Sequence, residues 1–102
     1  MSKYLLLTTL TDEGRRTIKD DPDRLWELNK EVERMGVKIM SQYALLGPYD
    51  FFNLIECPND EIAARLAITL SARGTVQTAT FAAMPVEDLI ATLKKSPDRE
   101  QW

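Results

Sequence analysis

Histidine is absent from these 102 residues and cysteine occurs once. Without an imidazole there is no Ser-His triad, no His acid–base pair and none of the commonest zinc sites. The lone Cys57 excludes an internal disulfide and a multi-cysteine metal knuckle, so no metal is expected. Nothing in the residues calls for a cofactor. Apolar runs stay short of the roughly 18 residues that span a bilayer, so no membrane segment is expected. Met1-Ser2-Lys3-Tyr4 lacks the layout of a signal peptide, and the expected location is cytoplasmic. Positive charge is not in excess either, with Lys and Arg at 13 against Asp and Glu at 16. The net charge of -3 counts against an electrostatic nucleic-acid binder. An aromatic-plus-basic strand of the kind that stacks RNA bases is also missing.

What is present suits one folded domain, since 44% of residues are hydrophobic and 28% charged. A chain this short buries only about two-thirds of its unfolded surface, so a second copy would add stability. Lys3 to Leu10 reads as a strand, apolar on both faces (Tyr4, Leu6, Leu10 and Leu5, Leu7). Thr11 reads as an N-cap followed by Asp12 and Glu13, opening a helix that Gly14 and Thr17 weaken. Asp21-Pro22 restarts a helix with Leu25, Leu28, Val32 and Met35 as its apolar stripe, and Gly36 ends it. Val37 to Leu46 alternates with Val37, Ile39, Tyr43 and Leu45 on one face; Gly47-Pro48-Tyr49-Asp50 turns, and Phe51 to Cys57 returns. Asn59 caps a third helix, Thr75 to Met84 is a fourth strand, and Pro85 opens a short last helix before a charged tail from Lys95.

Strand-helix-strand twice over, plus one helix, is an α+β chain: a ferredoxin-like βαββαβ domain with a four-stranded antiparallel sheet. Residues 1–84 form that domain, and 85–102 the C-terminal helix and tail. Two crossover helices cover one face of such a sheet, yet the first and third strands are apolar on both. The second face therefore needs a cover. A second copy stacked sheet on sheet supplies it, giving a homodimer or dimer-based oligomer; the alternative is a monomer whose last helix lies across it.

Thr11-Asp12-Glu13-Gly14, Ile18-Lys19-Asp20 with Pro22 and Arg24, Leu46-Gly47-Pro48-Tyr49-Asp50 and Leu70-Ser71-Ala72-Arg73-Gly74-Thr75-Val76 occur in the order of a known family. Over about residues 3–84 the chain resembles the GYD domain, named for a Gly-Tyr-Asp motif into which Pro48 is interposed here. The resemblance implies a ferredoxin-like fold similar to the dimeric α/β-barrel proteins, with small molecules held between sheet and helices. It implies no particular reaction, so no catalytic residue is carried over.

Tyr49 and Asp50 put a phenol beside a carboxylate at a turn, where Asp50 can serve as a base or simply cap backbone N–H groups. Asn53 is polar among Phe51, Phe52, Leu54 and Ile55; buried, it needs a partner, whether ligand, backbone or water. Tyr43 and Trp26 complete the candidate ligand-binding set, Trp26 alternatively packing at the core. Arg15, Arg16, Lys19 and Arg24 gather positive charge that neighbouring acids neutralise. Cys57 reads as a packing residue. The leading expectation is a homo-oligomeric module binding an apolar or aromatic small molecule near Tyr43, Tyr49 and Asn53. A cofactor-independent enzyme using Asp50 or Tyr49 for proton transfer, and a purely structural assembly protein, are the alternatives.

Overall fold

A computed structural model describes residues 1–95 of the chain; the expected tail beyond Lys95 lies outside the described residues. The first strand, β1 (Ser2–Leu10), buries Tyr4, Leu6 and Thr8 on one face and leaves Leu5, Leu7 and Thr9 half-buried on the other. It pairs antiparallel with β3 (Phe51–Cys57), Leu6 opposite Asn53, and with β4 (Val76–Ala83), Leu6 opposite Thr80. The remaining strand, β2 (Lys38–Ala44), lies outside β3, and the sheet runs β2-β3-β1-β4. This is the ferredoxin-like order, with the first and third strands in the middle of the sheet and β2 and β4 at its edges.

Helices α1 (Asp12–Asp20), α2 (Arg24–Arg34) and α3 (Asp60–Ser71) pack on one face. The core between them and the sheet joins Tyr4, Leu6 and Ile55 with Val32 of α2 and Ala63 and Leu66 of α3. Caps define the helix starts: the Thr11 hydroxyl accepts from Gly14 N and the Asn59 side chain from Ile62 N. The Tyr4 hydroxyl donates to Asp60, anchoring the start of α3 to β1. That bond and burial push the Tyr4 phenol's pKa up. Burial does the same for the Cys57 thiol, which is fully enclosed and inert as packing.

Two local expectations are corrected. The helix expected to start behind Asp21-Pro22 begins at Arg24, because Pro22 and Asp23 form a turn in which Arg24 N donates to the Asp21 carbonyl (3.1 Å). Strict alternation along β2 also fails: a bulge between Ile39 and Ser41 sends Ile39 and Gln42 to the helix side. Tyr43 is thereby opposite Phe52, on the other face from Asn53.

The last helix, α4 (Val86–Lys95), buries none of its residues; Val86, Leu89, Ile90 and Leu93 are all exposed. It therefore does not cover the sheet's second face, as the monomeric alternative required. That face presents Leu5 and Leu7 of β1, Phe52 and Leu54 of β3, Ala79 and Phe81 of β4 and Tyr43 of β2. Tyr43 and Phe52 meet edge to face at 6.0 Å, and Tyr43 and Phe81 are 63% and 51% exposed.

Candidate functional site

Three of the chain's quoted segments meet at one end of the sheet, around the end of β1. Asp50 Oδ2 accepts from Leu10 N (2.7 Å), while Asp50 N donates to the Thr8 carbonyl (2.8 Å) and its carbonyl accepts from Leu45 N (2.7 Å). One residue thus ties the β2–β3 turn to β1. On the other side, Thr11 N donates to the Thr75 carbonyl (3.0 Å) and the Thr11 hydroxyl to the Gly74 carbonyl (2.7 Å). The same hydroxyl accepts from Gly14 N (3.1 Å), so capping α1 and clasping the start of β4 are one arrangement. Gly47 and Gly74 hold φ of 152° and 78°, angles at which a side chain is strained.

Beneath this clasp, between the sheet and helices α1 and α2, lies a cleft of about 300 Å³. Its walls are mainly apolar, with Leu6, Leu25, Leu28, Val32 and Ile55 among them. The polar groups converge from four elements. Gln42 Nε2 donates to Asn53 Oδ1 (2.8 Å), and Gln42 exchanges two hydrogen bonds with Asn29 of α2 (2.8 and 3.0 Å). Asn53 is buried at 9% exposure, and Thr8 beside it at 7%. At the rim, Arg24 pairs with Glu27 (2.8 Å) and Glu31 (3.6 Å), and Arg73 with Glu31 (2.5 Å). This arrangement can enclose an apolar molecule and orient it by a few hydrogen bonds.

The sequence candidates are distributed rather than gathered. Asn53 lines the cleft. Tyr43 stands on the opposite face of the sheet, for the reason of the bulge. Tyr49 lies in the turn ahead of β3, so it does not share a strand face with Asn53; it is 37% exposed and lines no part of the cleft. Trp26 is 63% exposed and borders an adjoining concavity with Pro22, Gln42 and Phe51. Asp50 spends its side chain on a backbone N–H. Sequence reasoning passed over Thr8, Asn29, Gln42 and Arg73. A threonine among the leucines of β1, and the place of Arg73 in the Leu70–Val76 segment, were the signals for this set.

Because Asp50 carries the junction, its variants separate by acceptor rather than by charge. Asp50→Asn keeps an oxygen for Leu10 N–H and is expected to lower stability by about 1 kcal/mol or less. Asp50→Ala leaves that half-buried donor unpaired and is expected to cost about 1–3 kcal/mol. Urea midpoints at unchanged slope read the difference; equal midpoints for the two variants would remove Asp50 from the junction's energetics.

Comparison with known proteins places this geometry. The GYD domain model matches residues 4–93. A protein of Thermus thermophilus, the glutamine synthetase and cystathionine beta-lyase binding protein, is 47% identical over 95 residues, spanning 92% of this chain and all of the relative. In fold alone, the crystal structure of an FFRP protein aligns with a TM-score of 0.50 at 20% identity, covering 82% of this chain and 100% of that one. On the family match and on the relative's identity along its whole length, the chain belongs to the GYD domain family.

Proposed function

We propose that this chain is a self-associating binding module. Two copies stack through their open sheet faces into an α/β barrel, and the assembly docks metabolic enzymes of the kind for which the Thermus relative is named. The cleft between sheet and helices takes a small molecule. The observation that carries this reading is the uncovered apolar face formed by Leu5, Leu7, Phe52, Leu54 and Phe81. Four strands about 4.8 Å apart and seven residues at about 3.3 Å give a patch of roughly 19 by 23 Å, the size that marks an interaction site on a small protein. All of α1, α2 and α3 lie on the other side, and α4 buries nothing. The proton-transfer alternative finds less support, since Asp50 is engaged with backbone and Tyr49 stands away from the cleft.

Light scattering at micromolar concentration is expected to give twice the chain mass of 11.7 kDa or a multiple of that. A monomer mass would overturn the stacked pair. Sedimentation of the chain with purified glutamine synthetase and with purified cystathionine beta-lyase is expected to show co-sedimentation with at least one of them. Free sedimentation beside both would remove the enzyme-docking half of the reading.

A further inference from the structure

The cleft's chemistry narrows what it holds, resting on the small-molecule part of the reading above. We infer that it is a site for an uncharged, mainly apolar molecule of about ten non-hydrogen atoms bearing one hydrogen-bond acceptor for the Asn53 amide. Size follows from the cavity: about 300 Å³ is the room of about ten liquid waters, at roughly 30 Å³ each. Charge follows from the rim. Arg24 and Arg73, the charged side chains that line the cleft, are each ion-paired with carboxylates outside its lining, Arg24 with Glu27 and Glu31 and Arg73 with Glu31, so their charge is offset before a ligand enters. An ammonium group would lie against leucine, valine and isoleucine walls, where an unpaired ion is strongly disfavoured.

Polarity follows from the amide network. Asn53 Oδ1 is occupied by Gln42 Nε2, and Gln42 is itself held by the paired bonds to Asn29. The Asn53 Nδ2 group donates to no partner among the described residues; the residue is 9% exposed and lines the cleft, into which this donor stays open. A donor open to the cleft is met there by water or by the carbonyl or hydroxyl oxygen of an occupant. Thr8, diagonal to Asn53 across the β1–β3 register, brings a hydroxyl to the lining of the same cleft. Free amino acids, zwitterionic and small, do not match this site.

The test is a titration of the ¹⁵N-labelled full chain with 1-indanone, a neutral bicyclic ketone, with indane, which lacks the oxygen, and with L-phenylalanine. Indanone is expected to shift the Asn53 side-chain NH₂ signals and the backbone amides of Leu6, Thr8 and Ile55. Its affinity is expected to exceed that of indane about tenfold, the ratio that roughly one hydrogen bond supplies. Asn53→Asp keeps an acceptor for Gln42 and removes the donor, so the ratio should fall to about one. Leu28→Trp, which fills the cleft and leaves the amide network in place, should abolish both responses. The inference is overturned if millimolar indanone leaves these signals unmoved, if indane binds as well as indanone, or if phenylalanine binds as tightly. Mass and enzyme co-sedimentation read other surfaces, so either reading can fail while the other stands.

Discussion

Replacing Gly14 by alanine is expected to lower the melting temperature by about 8–30 °C, against the direction that helix propensity alone dictates. Alanine is favoured over glycine inside a helix by about 1 kcal/mol. Here a Cβ built on Gly14 falls 2.0 Å from the Thr75 carbonyl oxygen and 3.2 Å from Leu10 Cδ2. The nearer contact is backbone, with no flexible end to swing aside. Relief requires α1 to draw back from the start of β4 by about an ångström or more. That movement breaks the bonds from Thr11 N to the Thr75 carbonyl and from the Thr11 hydroxyl to the Gly74 carbonyl. Overpacking of this kind costs about 1–3 kcal/mol, and each lost hydrogen bond about 1 kcal/mol. After subtracting the propensity gain, about 2–4 kcal/mol remains, and each kcal/mol is worth roughly 4–8 °C in a domain this size. Arg16→Ala, on the exposed side of the same helix, is the control and should leave the melting temperature nearly unchanged. A melting temperature for Gly14→Ala at or above that of the parent would mean the two segments do not touch in solution.

Gly14 also shows where sequence reading stops. Read alone, it is a weak point in a helix; only the register of β1 and β4 brings Thr75 against it. Periodicity was enough for the elements and their order, because strands apolar on both faces and helices with a single stripe leave few ways to assemble. Caps at Thr11 and Asn59 were legible for the same reason, being short-range chemistry. The cleft was not. Its polar members, Thr8, Asn29, Gln42 and Asn53, come from β1, α2, β2 and β3 and have no common spacing. Moreover, a single extra residue between Ile39 and Ser41 reverses which side of the sheet Gln42 and Tyr43 occupy. A bulge leaves no mark in a sequence that otherwise alternates, so Tyr43 was placed with Asn53 and Gln42 was not. Asp50 falls between these cases. Its place in a turn was visible, but its partner, Leu10 N, is 40 residues away.

Leu54→Asp is expected to convert the proposed stacked pair to a folded monomer. Leu54 lies on β3, opposite Leu5 of β1 and Ser41 of β2, on the sheet face away from the core. In a lone chain that face meets solvent, so an aspartate there stays hydrated and the core of Tyr4, Leu6, Ile55 and Leu66 is undisturbed. In the proposed stacked pair the same position would be buried against the partner's sheet. Two-fold symmetry then buries two carboxylates, one from each copy, with no cation opposite them. The nearest basic groups of that face, Lys3 and Lys38, flank Glu56 two residues further along β3; Lys3 is bonded to Glu56 (3.2 Å), and Lys38 stands opposite Glu56 in the register, so their charge already meets that carboxylate. An uncompensated buried charge costs about 3–5 kcal/mol, so two of them weaken association by about four orders of magnitude or more. Light scattering should fall to 11.7 kDa while circular dichroism keeps the parent's helix and strand signal. Leu54→Met, which keeps the apolar contact, should retain the paired mass. If the aspartate variant held the paired mass, the open sheet face would not be the surface on which two copies meet.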